Sequence, residues 1–401
     1  MVIKIHNRSR REFLRVAGAA SVGSILSAFT PLTEASDEPK TMPVRPFGKT
    51  GEKVSILSLG GMFDIASNQI MIKQAIRWGV TYWDTADCYQ NGSETGIGKY
   101  FIKYPEDRKK IFLVSKSCAR DPKGMTRLLD RSFERMNTDY IDLYFVHGIS
   151  GIDELNERTK TWAEKAKASG KIRFFGFSTH RNMETCMLEA AKLGWIDGIM
   201  MSYNFRLMHN GRMKQAVDAC VKAGIGLTAM KTQGGGSVKT NTDTELKMAG
   251  RFLQKGFTDA QAKLMAVWQN PDIASVCSQM PNMTILKANV AAALNKSDFS
   301  GKDSEFLHRF ARETHSDYCA GCANICESAI ETDVPIGDVM RYLMYYRSCG
   351  EYDYAASLFK AIPETIRLQM ASSDYSSAEQ RCPQNMPIGK LMKEAADIFH
   401  I

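Results

Sequence analysis

The sequence predicts an α/β protein, a closed (β/α)8 TIM barrel followed by a small, mainly helical C-terminal domain. Three observations predict it. Between residue 54 and about Leu294, short apolar runs rich in β-branched and aromatic residues alternate with segments of helical periodicity, giving eight strand–helix units. The first run ends Leu59-Gly60-Gly61-Met62. It lacks the G-x-G-x-x-G that an open doubly wound sheet, the competing architecture, carries after its first strand. After Leu294 the alternation stops, and a tight group of three cysteines and a distant Cys-Pro follow.

In chain order, the first 35 residues read as an address. Ser9-Arg10-Arg11-Glu12-Phe13-Leu14-Arg15 precedes a small-residue apolar run over 16–29, the pattern of a twin-arginine export signal. A periplasmic protein, exported folded, is the expectation, tethered to the membrane if the signal is not cleaved. No run of 18 apolar residues exists to form a stable membrane span. The net charge is +8, of which five basic and two acidic residues place +3 in this leader. The rest is diluted over a large surface and makes no case for a nucleic-acid partner. The barrel is expected over 42–294, with strands at 54–61, 80–86, 111–116, 141–148, 172–178, 198–205, 224–231 and 274–280. The helix after the third strand shows Met125, Leu128, Leu129, Phe133 and Met136 on one face. Gly79, Gly170, Gly194 and Gly224 stand where helices should stop. Residues 295–305 read as a polar linker, and 306–401 as the cysteine-containing domain, with helices at 336–346 and 388–398.

In such a barrel the chemistry sits at the carboxyl ends of the strands. Asp84 ends the second strand and Tyr89 lies in the loop after it. Lys116 ends the third, His147 the fourth and Ser178 the fifth. A phenol of pKa about 10 is a poor acid at neutral pH. An adjacent ammonium stabilises its anion and should lower that value. Asp84 would hold Lys116 charged, His147 would hydrogen-bond a substrate oxygen, and Tyr89 would pass the proton as general acid or base. Phe63, Phe205 and Trp162 are candidate pocket-wall residues. Cys88 adjoins Tyr89 and is a candidate pocket residue; Cys118, Cys186, Cys220 and Cys277 read as small core residues.

D-T-A-D-C-Y-Q-N-G-S-E from Asp84, L-V-S-K to Lys116, D-L-Y-F-V-H to His147 and G-F-S-T-H from Gly176 resemble the aldo/keto reductases over 44–294. The resemblance implies an oxidoreductase that interconverts a carbonyl and an alcohol, with Asp84, Tyr89, Lys116 and His147 as its tetrad. It implies NADP(H) as cofactor, Ser178 against the nicotinamide carboxamide, and Tyr203, Asn204 and Asn289 in the nucleotide site. Gly234 and Gly235, in a glycine triplet, would let backbone amides approach a phosphate. Met200 stands where the family has a Gln, Gln279 where it has a glycine, and Ala288 where it has a Glu. The resemblance therefore supports hydride-transfer architecture and leaves tight NADP(H) binding open.

Cys319, Cys322, Cys326 and the distant Cys382-Pro383 suit one [4Fe–4S] cluster, as in a ferredoxin-like iron–sulfur extension. Zinc on the same thiolates and a pair of disulfides are the other readings, and Cys349 is an alternative fourth ligand. A cluster would connect two-electron chemistry in the barrel to a one-electron redox partner protein. A plain NADPH-dependent reductase and a non-catalytic electron-transfer or assembly partner with a relic pocket are the alternatives.

Overall fold

The computed structural model describes residues 41–89, 92–236 and 242–400. The expected export signal over 1–35 lies outside them. β1 (Val44–Pro46) and β2 (Lys53–Ser55) form an antiparallel hairpin. Eight parallel strands then close a barrel: β3 (Leu57–Gly60), β4 (Tyr82–Asp84), β5 (Phe112–Ser117), β6 (Ile141–Ile149), β7 (Ile172–Thr179), β8 (Gly198–Ser202), β9 (Gly226–Met230) and β10 (Ser275–Gln279), with β10 pairing β3. The first expected strand is thus two. Ser55 breaks it: its Oγ bonds the Leu57 carbonyl and accepts from the Thr81 and Tyr82 amides, so the chain leaves the hairpin and enters the barrel at Leu57.

The hairpin carries Phe47 into the barrel floor, where it packs with Tyr82, Phe112, Val114, Leu143, Phe145 and Met200. A Cβ on Gly226 would sit 2.5 Å from that ring, so Gly226 is the space Phe47 occupies. Around the barrel run α1 (Gln69–Arg77), α2 (Ser93–Lys103), α3 (Pro122–Met136), α4 (Glu157–Ala168), α5 (Met183–Ala190), α6 (Gly211–Lys222), α7 (Asp243–Gln254), α8 (Asp259–Trp268) and α9 (Met283–Leu294). α3 begins as its sequence dictates, with Pro122 at its first turn and Asp121 accepting from the Gly124 amide. Gly170, at φ 73°, follows α4, a turn that a residue with a Cβ enters only under strain.

The tail departs from expectation at its start. Half of the expected linker is helix: α10 (Gly301–Glu313) is capped by Ser300 and Asp303, and Leu307, Phe310 and Ala311 on it join the barrel's own core, as does Tyr318 beyond it. The polar residues that suggested a linker are its cap and its outer face. A separate apolar core begins only at Cys326. It is built by α11 (Ala323–Glu327), α12 (Ile336–Met344), α13 (Tyr352–Lys360), α14 (Glu364–Met370), α15 (Ser376–Arg381) and α16 (Ile388–Phe399). Met340 is buried there and Met344 packs against it, as core filler. No helix among the described residues is long and apolar enough to cross a membrane.

Candidate active site

Asp84, Lys116 and His147 sit on adjacent strands at one rim, with Tyr89 in the loop after β4. Lys116 Nζ lies 2.7 Å from Asp84 Oδ2, both side chains almost wholly buried, and donates also to the Thr85 carbonyl. It donates at 3.4 Å to the Tyr89 hydroxyl. The Tyr89 ring meets the His147 ring edge-on, with centroids 6.0 Å apart. The four residues the sequence singled out are therefore together. The electrostatics differ from the expectation that Lys116 lowers the phenol's pKa. Burial, then the negative charge of Asp84, raises Tyr89 well above the usual value, while Lys116 makes its closer contacts with Asp84 and Thr85. Burial likewise raises Asp84, against the pull of Lys116.

His147 is aimed by an irregularity. β6 does not stop at this residue but continues to Ile149, with a register shift after Val146 and Gly148 at φ 68°. A bulge of this kind re-aims a side chain at a rim. Arg120 holds the His147 carbonyl at 2.7 Å, and Ser178 Oγ accepts from the Gly148 amide at 2.9 Å. Ser178 thus pins the bulge. Glu94, the last residue of the Asp84 motif, is buried and accepts from Ser115, Ser132 and Arg135, which anchors the start of α2.

Cys118, read from sequence as a core residue, is exposed at the rim, as is Cys88. Their sulfurs lie 3.4 Å and 3.2 Å from His147 Nδ1. A hydrogen bond from Cys118, then His147, brings the Cys88 thiol down to about 5, and the same contact raises Cys118. The missed signal was positional: each cysteine follows a tetrad residue within the same strand-end loop. Trp162 also differs from expectation. It lies tilted against Tyr144 and edge-on to Phe175 on the outside of the barrel, because it belongs to the buried face of α4. Cys186 and Cys220 are buried in helices as expected; Cys277 is only partly buried, its thiol raised by burial and by Asp84.

Of the residues implied for the nucleotide, Asn204, Gly234 and Gly235 meet the tail. Asn204 is fully buried and donates to the Lys231 carbonyl and the Tyr318 hydroxyl. Lys231 Nζ donates to the Tyr345 hydroxyl at 2.6 Å. A Cβ on Gly235 would touch Tyr318, and one on Gly236 would strike Ser348. Arg206, unremarked in the sequence, ties the Gly234 carbonyl to Thr314. Tyr203 turns its hydroxyl to Asn270, and Asn289 bonds Ser278. Between barrel and tail lies a cavity of about 480 Å³, whose wall includes His180, Phe205, Lys231, Lys263, Arg341 and Cys319. The tetrad does not line it. His180 is lowered well below its usual pKa by burial and by the charges of Lys231 and Arg341.

Cys319, Cys322, Cys326 and Cys382 line one apolar cavity together with Pro383, Ile336 and Met386. Burial, then the charges of fellow cysteines, pushes Cys322 and Cys326 up to about 12. Cys349 is not on this wall; it is exposed in the turn after α12. Cys319 lies on the wall of both cavities.

Comparison with known proteins agrees with the barrel. Residues 57–298 match the aldo/keto reductase family. The chain is 25% identical over 295 residues to L-galactose dehydrogenase of Arabidopsis thaliana, covering 66% of this chain and 92% of that protein. Its fold is that of an aldo-keto reductase from Bacillus halodurans, solved in its holo form, at TM-score 0.56, with 22% identity, 67% of this chain and 96% of that one covered. It is equally that of the thermostable aldo-keto reductase Tm1743, solved with the inhibitor epalrestat, at TM-score 0.57 and 23% identity over 67% of this chain and 99% of that one. This chain belongs to the aldo/keto reductase family, and it is an oxidoreductase of that family.

Proposed function

We propose that this enzyme interconverts a carbonyl and an alcohol, with Tyr89 passing the proton. The observation that carries the reading is the buried Lys116–Asp84 pair with the Tyr89 hydroxyl 3.4 Å from the same ammonium. In reduction, the phenol gives its proton to the oxygen of the substrate as that oxygen gains negative charge. Lys116 then stabilises the phenolate, and Asp84 keeps the ammonium charged and in place. His147 holds the substrate oxygen by hydrogen bond. The raised pKa of Tyr89 suits this direction, since the group is protonated at rest. The substrate is a small aldehyde, ketone or sugar-like alcohol; the name of the Arabidopsis relative supports the last of these.

NADP(H), the family's usual cofactor, would supply or accept the hydride. Its fit here is partial. Lys231, Lys263 and Arg341 give the inter-domain cavity a basic wall suited to phosphates, while Tyr318 and Tyr345 already engage Asn204 and Lys231. The four tail cysteines fit a [4Fe–4S] cluster better: four soft donors line one apolar cavity. Such a centre would supply one-electron exchange with a redox partner protein, and the wall position of Cys319 favours contact with the barrel. The twin-arginine pattern at Arg10-Arg11 supports folded export to the periplasm.

The test is anaerobic purification of the full chain, iron and sulfide analysis, and fluorescence titration with NADPH, followed by a carbonyl screen. Four irons per chain with saturable NADPH binding and turnover support the whole reading. Iron without nucleotide binding or turnover moves it to a non-catalytic electron-transfer partner.

A further inference from the structure

We propose that Cys88, Cys118 and His147 bind a borderline-soft divalent cation, zinc, at the mouth of the barrel. The three residues come from the ends of β4, β5 and β6, and their ligand atoms all lie within 4.8 Å of one another. Both sulfurs face the same nitrogen, His147 Nδ1, at 3.2 and 3.4 Å. Zinc bonds of about 2.3 Å to sulfur and about 2.0 Å to nitrogen, at tetrahedral angles, place S···N edges at roughly 3.6 Å. The two S···N edges therefore need to lengthen by only a few tenths of an ångström.

The frame around the three donors is fixed. Asp87 Oδ1 accepts from the Cys118 amide at 3.3 Å, while its Oδ2 takes Arg131 at 2.5 Å and its carbonyl takes Arg135 at 2.9 Å. These bonds tie the loop of Cys88 to the loop of Cys118. On the other flank Arg120 and Ser178 hold the bulge that presents His147.

The chemistry of the donor set selects the ion. Two thiolates and a neutral imidazole cancel a divalent charge, so this rim site needs no further carboxylate. Both sulfurs bind as thiolates, and any thiol proton still held passes to solvent on binding. Sulfur and nitrogen donors exclude magnesium and calcium and suit zinc. Three protein ligands leave one tetrahedral position for water or a substrate oxygen. Ligation through Nδ1 puts the ring proton on Nε2, the form in which His147 donates to a substrate oxygen. The binding claim stands apart from the chemistry of Tyr89, because metal content is read without turnover.

The experiment uses the full chain, reduced and stripped of metal, with zinc alone as the first probe. Alkylation of the ten cysteines is mapped by mass spectrometry with and without the ion. Zinc should shield Cys88 and Cys118 as a pair, distinct from shielding of the tail cysteines. Cobalt substitution then counts sites. The Cys88→Ser/Cys118→Ser variant should lose one thiolate-bound cobalt per chain, and Cys319→Ser/Cys322→Ser should keep that one. Unchanged alkylation of Cys88 and Cys118 in saturating zinc overturns the proposal. So does equal cobalt uptake by the wild type and the Cys88→Ser/Cys118→Ser variant, or recovery of the pair as a disulfide that zinc does not prevent. The mapping is made on the wild-type chain, so a variant that fails to fold cannot hide the result.

Discussion

The side-chain amide of Asn204 donates to the hydroxyl of Tyr318 across 3.0 Å, joining a residue expected in the nucleotide site to the head of the cysteine segment. The tail thus holds a group that the family resemblance assigns to the cofactor. Tyr318→Phe removes that hydroxyl and keeps the ring that packs in the barrel core. Asn204 retains the Lys231 carbonyl as a partner. NADPH binding should tighten by about fivefold, the size of one net hydrogen bond of about 1 kcal/mol. Fluorescence titration checks it. Weaker or unchanged binding would show that Tyr318 does not compete for Asn204.

The Lys116–Asp84 pair separates stability from catalysis. Removing one member leaves the other charged and buried, so Lys116→Met should cost about 3–5 kcal/mol of stability. Combining it with Asp84→Leu removes the orphaned charge and should restore most of that loss, a coupling read by a double-mutant cycle in denaturant. Neither variant should regain activity. Tyr89→Phe, by contrast, should leave stability nearly untouched and lower carbonyl reduction by roughly 10²–10⁴-fold. Full activity in Tyr89→Phe would remove the proton-donor assignment.

What the sequence made legible follows from the reach of each signal. The eight strands were readable because parallel strands buried on both faces leave continuous apolar runs, and each tetrad residue lies at such a run's end or in the loop beyond it. The break at Ser55 was not readable, since a hydroxyl that bonds three backbone groups looks like any serine. Nor was the rim position of Cys118, which depends on how one loop turns under Asp87. The contacts of Tyr318 and Tyr345 with the barrel were beyond sequence for a different reason. They join residues more than a hundred positions apart, and no local period records such a pairing.

The cysteine cavity divides the tail's five cysteines into four and one. Serine at Cys319, Cys322, Cys326 or Cys382 should each abolish stoichiometric iron and sulfide in the anaerobically purified chain. Cys349→Ser should retain both, because this thiol lies off the cavity wall. Loss of iron in Cys349→Ser, with iron kept in Cys382→Ser, would reassign the fourth ligand.

Asp303 gives the junction between barrel and tail a pH dependence of known sign. Its side chain is fully buried, and it accepts from Arg251 at 2.8 Å, from Lys255, and from the Ser300 hydroxyl at 2.6 Å. Burial alone would raise this carboxyl, but the bonds from Lys255, Ser300 and Arg251 outweigh it and hold the group far below its usual range. A carboxyl whose folded pKa is depressed binds its proton more readily when unfolded, at a pKa of about 3.9. Its contribution is therefore complete above that value and is lost as pH falls toward the folded pKa. Arg251 and Lys255 are each about one-third exposed, so solvent screening discounts the pair. Asp303→Asn should cost about 1–2 kcal/mol at neutral pH. Denaturant unfolding at pH 7 and pH 3 checks the sign. The gap between wild type and Asp303→Asn should narrow at the lower pH, and a gap that widens would show that Asp303 is not held as a carboxylate.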